Sequence, residues 1–335
     1  QDNRLLEKNS IYYIQSMTKP IMSVAIMQLV ERGKLNLADN AADYYPPLKK
    51  LRVIKDLTTG IYGPTVSAKQ PITILQLLTH TSGLSHGLEE TLFDQQLFKL
   101  MYNELFDPAE YNNLKERVDK LMLVPLIGQP GEQWYYSAAP DILALILEKI
   151  TGQSAETYLE ENIFDPLSMN ETGYNVRLEQ QERIMQVHFN LEDGTLVNSH
   201  VQGPTIGNTV YGGTHGLFSS TEDFLKFCQM ILNKGSFNDQ RILKKETVEL
   251  MIRNHVGELI GPGRGFGLGF GVLYDTDKDP GPASTGQVYW GGYFKTHFFI
   301  DPKEDLIGII MTQKIPNTDE YIIELNRAVY SALSF

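Results

Sequence analysis

Apolar residues at Ile21, Val24, Ile26, Leu29 and Val30 recur at helical spacing, so the sequence predicts a helix from Met17 to Glu31. The glycine of "RGKLNLADN" closes it. Immediately before lies a strand-like run, Ile11 to Ile14. After the helix, "LNLADNAADYYPPL" reads as a turn, a short helix and a Pro-Pro stop. "PITILQLLTHTSGLSHG" predicts a helix from Pro71 through Leu78 that breaks into a Thr/Ser/Gly loop. Residues 89–126 read as mostly helical, punctuated by Pro108 and Pro125. "QPGEQW" is a turn, a helix follows from Pro140 to Ile150 with its stop at Gly152, and helix continues through "AETYLEENIF".

From about residue 180 the pattern changes to strand. "RIMQVHFNLEDGTLVNS" predicts a hairpin turning at Asp193-Gly194. "TEDFLKFCQMILNKG" and "KKETVELMIRNH" read as helices. "GFGLGFGVLYD", "GQVYWGG" and "THFFIDPKEDLIGIIMTQ" read as strands of a closing antiparallel sheet, and "TDEYIIELNRAVYSALSF" as a terminal helix. The pattern implies an α/β fold: an antiparallel β-sheet flanked by helices, with an inserted mostly helical region. Residues 1–70 and 190–335 would form the sheet domain and 71–189 the helical one. No internal repeat or low-complexity linker interrupts the chain.

Composition narrows the function. The 335 residues are 42% hydrophobic, and 41 acidic against 29 basic residues give a formal charge of −12, which argues against a nucleic-acid partner. Cys228 is the single cysteine, set in an apolar helical run, so neither an intrachain disulfide nor a thiolate metal cluster can form. The seven histidines show no HExxH-type spacing, and no metal or other cofactor is expected. No apolar stretch reaches membrane-spanning length and no signal peptide is present. A soluble chain is expected, with the cytoplasm and export after signal removal both open, and the oligomeric state is not legible.

The chemistry begins at "SMTKP". A lysine in the first helical turn faces the positive pole of the macrodipole, a misplacement that invites a reason. Residues three apart share a helix face, so the Ser16 hydroxyl and the Lys19 amine can meet. The N–H groups at the helix mouth favour an alkoxide or an acyl oxyanion, and the same field lowers the lysine pKa. Pro20 is tolerated in a first turn. Alone, S-x-x-K is weak and reads better as a capping serine beside a surface lysine.

Downstream, "ITILQLLTHTSGLSHG", "PGEQWYYSAAPDILALILEKITGQS", "IFDPLSMNETGY", "YGGTHGLFSSTEDFLKFCQMIL" and "WGGYFKTHFFIDP" follow in that order. With "SMTK" they resemble the serine β-lactamase-like family, which contains class C β-lactamases, DD-peptidases and family VIII carboxylesterases. The resemblance runs from about Tyr12 to Thr312. It implies Ser16 as nucleophile, Lys19 as its activating partner and Tyr136 as proton shuttle. Tyr135 is the neighbouring alternative, the register W-Y-Y-S-x-x-x-D favouring Tyr136. A tyrosine beside a lysine ammonium is expected to have a lowered phenol pKa. Trp290, Gly291 and Gly292 match the third motif, and by analogy the N–H groups of Tyr293 and Ser16 form the oxyanion hole.

Departures from the family pattern bear on the substrate. Ala138 stands where the Tyr-x-Asn motif of β-lactamases and DD-peptidases has asparagine. Trp-Gly-Gly replaces Lys-Thr-Gly or His-Thr-Gly, so an apolar wall stands where a carboxylate-binding lysine would. Lys295 is a weak substitute, since on a continuing strand it would share a face with Tyr293, opposite Trp290. Only 15 residues precede Ser16, implying a truncated or short member with an exposed sheet edge. "GLSHG" matches the G-x-S-x-G nucleophile elbow, but a helix precedes it and loop follows, so Ser85 and His86 read as loop residues. The resemblance thus implies a serine carboxylesterase of the family VIII kind, acting through an acyl-enzyme on a small-molecule ester, with short acyl chains favoured. A β-lactamase or DD-peptidase with weak esterase activity is the alternative, and a non-catalytic binding protein of the same fold the second.

Overall fold

The computed structural model describes residues 6–102, 111–191, 193–199, 203–278, 281–315 and 319–333. The predicted first strand is Ile11–Tyr13 (β1), and the helix after it is Thr18–Glu31 (α1). Every residue of α1 from Thr18 to Leu29 is buried, Lys19, Ser23 and Gln28 included. A helix enclosed on all sides is a core helix, which the spacing of five apolar positions does not reveal. Gln28 Nε2 on this helix donates to the carbonyls of Asn162 and Ile242, two distant segments.

The helical stretch supplies Leu114–Leu121 (α2) and Ala139–Thr151 (α3). The helix α3 starts with Pro140 in its first turn and ends on Gly152 at φ +73°, the left-handed stop the glycine predicts. It lies against α1. Of residues 89–126, helix also covers Leu92–Met101, while Pro108 lies outside the described residues. "AETYLEENIF" forms Ala155–Leu159 and then one π-helical turn, Glu160–Phe164.

The later elements are Phe218–Ser220 (β2), Thr221–Leu232 (α4), Arg264–Phe266 (β3), Gly271–Leu273 (β4), Val288–Gly291 (β5), His297–Asp301 (β6), Leu306–Ile310 (β7) and Glu320–Ala332 (α5). Five of them make an antiparallel sheet in the order β7-β6-β5-β4-β3. Alternation along β6 sorts its faces. Phe298 and Ile300 join the main core, with Phe298 5.1 Å from Phe224 of α4, whereas Phe299 stacks on Tyr330 of α5. The Tyr330 hydroxyl donates to Asp301 Oδ2 at 2.6 Å and pins α5 to that second face. Among the described residues β7 pairs only with β6. The first strand joins β2 instead of this sheet, with Ile11 opposite Ser220 and Tyr13 opposite Phe218. The predicted hairpin is His188–Asn190 with Leu196–Asn198, its turn containing Gly194 at φ +84°. No helix among the described residues is long and apolar enough to cross a membrane.

Candidate active site

A single 3-10 turn, Gln15–Met17, joins β1 to α1 and carries Ser16. Gln15 enters it at φ +49°, a left-handed conformation that a non-glycine residue holds at about 1–3 kcal/mol. Lys19 Nζ lies 3.0 Å from Ser16 Oγ and donates to the Thr214 carbonyl at 2.9 Å. From the segment before α3, the Tyr136 hydroxyl donates to Ser16 Oγ at 2.7 Å. Lys19 Nζ also stands 4.5 Å from the centre of the Tyr136 ring. Residues 16, 19 and 136 therefore converge on one oxygen.

Burial decides their charge. Lys19 is 1% exposed, and lost solvation pushes its pKa well below the ordinary lysine value, with Asp141 opposing and Arg117 adding to the fall. The phenol of Tyr136 moves the other way, upward, again chiefly through lost solvation. The sequence led to the opposite expectation, a tyrosine acidified by an ammonium. The reason for the difference is that lost solvation of the phenol itself, not a neighbouring charge, dominates its shift. Both shifts favour the uncharged forms, an amine able to accept the Ser16 proton and a phenol able to donate one.

Aromatic rings wall in the phenol. His86 stacks on Tyr136 at 5.3 Å, while His80 meets it edge-on at 5.1 Å and Trp290 lies 5.5 Å away. Tyr135 takes no part: its hydroxyl turns to Gln133 and its ring packs over Gly128. Ser85 is likewise occupied, donating to Asp94 Oδ1 at 2.6 Å and accepting the Gly87 N–H, and it holds the loop in shape. Its neighbour His86 does reach the site, as part of the Tyr136 wall.

At the third motif the glycines answer to the chain's own packing. A Cβ on Gly292 would sit 2.5 Å from the Ile14 carbonyl oxygen and collide with Thr296 Oγ1, so only glycine lets the end of β5 press against the turn bearing Ser16. The Gly292 N–H donates to the Thr296 carbonyl at 2.7 Å. Residues 292–296 form a turn, not the continuing strand expected. Lys295 sits there at φ +61° with its amine paired to Asp319, just ahead of α5. Ser16, Tyr136, Trp134, Trp290, Tyr293 and Leu88 line a cleft of about 780 Å³.

Sequence reasoning missed what stands behind Lys19. Arg117 and Asp141, 2% and 1% exposed, form an ion pair with Nε 3.0 Å from Oδ2. In "NLKERVDKL" the arginine is indistinguishable from the charged face of an ordinary amphipathic helix. Asp141 served only as the last letter of a register.

A family model described as "Beta-lactamase" matches residues 1–330. The chain therefore belongs to the beta-lactamase family of serine hydrolases. It is 31% identical over 331 residues to protein Rv1367c of Mycobacterium tuberculosis, covering 93% of this chain and 79% of that one. It is 29% identical over 340 residues to lovastatin esterase of Penicillium rubens, covering 93% and 81%. Among solved structures, EstCE1, a hydrolase with promiscuous acyltransferase activity, superposes with a TM-score of 0.81 at 22% identity, covering 97% of this chain and 86% of that one.

Proposed function

We propose that the protein is a carboxylesterase working through an acyl-enzyme on Ser16. The observation that carries this reading is the Ser16 oxygen lying 3.0 Å from the Lys19 amine and 2.7 Å from the Tyr136 hydroxyl. Ser16 attacks the ester carbonyl while Lys19 takes its proton. The N–H groups of Ser16 and Tyr293 receive the oxyanion, each such donor being worth roughly 10²–10³ in rate. As the tetrahedral adduct collapses, Tyr136 protonates the departing alkoxide. In the second half a water loses its proton to the Tyr136 phenolate and attacks the acyl group. Ser16 then leaves with the proton held by Lys19, which restores all three groups.

An ester fits the cleft better than a β-lactam. The third motif offers the indole of Trp290, and Lys295 is engaged with Asp319. Ala138 is 2% exposed within the core, with no amide to present. Lovastatin esterase is named for hydrolysing an ester, in keeping with this choice. We read residues 1–70 with 190–335 as the sheet lobe and 71–189 as the helical lobe, so that Ser16 and Lys19 come from the first and Tyr136 from the second.

The test compares hydrolysis of p-nitrophenyl acetate and butyrate with that of a chromogenic cephalosporin, followed by peptide mapping of the trapped acyl group. Faster ester turnover with the acyl mass on Ser16, lost in Ser16→Ala, is expected. Cephalosporin hydrolysis at a matching rate would favour the β-lactamase alternative. No label on the native protein would point to a binding protein.

A further inference from the structure

Behind the amine, three separate segments assemble charges that the ester chemistry does not consume. The Asp141 carboxylate divides its oxygens: Oδ2 faces Arg117 Nε at 3.0 Å, and Oδ1 accepts the Thr214 N–H at 2.8 Å. The Thr214 carbonyl in turn accepts from Lys19 Nζ at 2.9 Å. One residue thus stands between carboxylate and amine, holding each by one of its backbone groups. On its far side Arg117 Nη2 lies 2.7 Å from His215 Nε2, and its guanidinium stands over the Tyr102 ring at 5.7 Å.

A carboxylate sealed in protein must have a cation beside it. Two lie near Asp141, and they differ in one respect: a guanidinium does not give up its proton, whereas an ammonium does. With Arg117 in place, the pull of Asp141 on Lys19 is countered by an opposing field. With Arg117 gone, Lys19 would be the cation left to it, and a protonated Lys19 cannot accept the proton of Ser16.

We propose that Arg117 and Asp141 are positioning residues, Arg117 serving as the counter-ion that lets Lys19 remain an uncharged amine while Asp141, through the Thr214 peptide, aims that amine at Ser16. The proposal rests on the reading of Ser16 and Lys19 as the reacting pair. Arg117 and Asp141 are the charged groups whose fields reach Lys19. The titratable groups on the other surrounding segments are His80 and His86 from the loop after Ile74–Leu78, His215 from the segment before β2, and the Tyr136 and Tyr102 phenols. Lost solvation holds these histidines and phenols neutral. On helix α1 itself the other titratable residue is Glu31, at its far end.

The experiment measures kcat/KM for p-nitrophenyl acetate against pH, whose acid limb reports the free enzyme's essential base. Arg117→Met should move that limb up by about one pH unit or more, roughly a tenfold loss at any fixed pH below it. Asp141→Asn should move it down. The charge-neutral double variant should return it to within about half a unit of the native midpoint, and Arg117→Lys, whose ammonium can lose its proton, should fall between Arg117→Met and the native protein. The proposal fails if every variant that folds, as judged by circular dichroism, keeps the native midpoint and loses the same factor at all pH values, since that is what mere packing residues would do. Should Arg117→Met not fold, an unmoved midpoint in Asp141→Asn overturns it equally. Fluorophosphonate labelling of Ser16 is read separately: its absence in the native protein would remove the underlying reading, whereas labelling with unshifted limbs would remove only this inference.

Discussion

Gly292→Ala is the sharpest probe of how the third motif serves the nucleophile. The added methyl would lie 2.5 Å from the Ile14 carbonyl oxygen, where ordinary contact begins near 3.4 Å, and would also strike Thr296 Oγ1. The hydroxyl can rotate away, but the carbonyl belongs to the backbone two residues before Ser16, so β5 and that turn must part by roughly 1 Å. A misplacement of that size at a reacting centre lowers the rate by about 10²-fold. The overpacking should also destabilise the fold by about 1–3 kcal/mol. Gly291→Ala is the internal control: its methyl would lie 3.0 Å from the Thr296 carbonyl and does not reach the Ser16 turn. Steady-state hydrolysis of p-nitrophenyl butyrate with thermal melts on both variants decides the matter. If Gly292→Ala stays within about threefold of the native kcat/KM, or loses less than Gly291→Ala, then β5 does not hold the site together as argued.

Three further outcomes are expected. On the proposed mechanism Lys19 acts as an uncharged amine, and with its pKa pushed well down kcat/KM should climb as pH rises through that lowered value. It should then stay level to beyond pH ~10, the phenol of Tyr136 being pushed up; a fall near neutral pH would contradict this. Ser85→Ala should lower stability by about 1–3 kcal/mol by stripping buried Asp94 of a partner, yet leave kcat/KM nearly unchanged; an inactive but folded variant would restore the G-x-S-x-G serine as nucleophile. Burial holds the Cys228 thiol well above its ordinary pKa, so iodoacetamide should modify the protein only in denaturant, as intact mass would record.

How far the sequence could be read depended on distance along the chain. Ser16 and Lys19 sit three residues apart, so local helix geometry sufficed to bring them together. Tyr136, 120 residues on from Ser16, was found through a motif and not through any periodicity. The ion pair behind them combines Arg117 and Asp141 with Thr214 from a third segment, and each looks ordinary in its own window. The sign of the Tyr136 shift escaped for a related reason: S-x-x-K announces a neighbouring lysine but not the burial that dominates the phenol. Helix α3 was legible because proline and glycine mark its ends. The turn at residues 292–296 was not, because "YFKT" carries the apolar and β-branched residues of a strand while Lys295 adopts a left-handed conformation that only glycine, asparagine or aspartate would have signalled.

The three-rung pairing of β1 with β2 does more than its size suggests. Ser16 follows β1 by three residues and Thr214 precedes β2 by four, so this short ladder is the gauge that sets the Ser16 turn and the anchor of Lys19 side by side although some 200 positions separate them. Slippage by two residues, the smallest shift that keeps side chains on their faces, would carry the Thr214 carbonyl about 7 Å along the strand axis. Lys19 would then lose its tether altogether. Substitutions at Ile11, Tyr13 or Phe218, which lie outside the lining of the cleft, are accordingly places where this protein could be silenced without being unfolded.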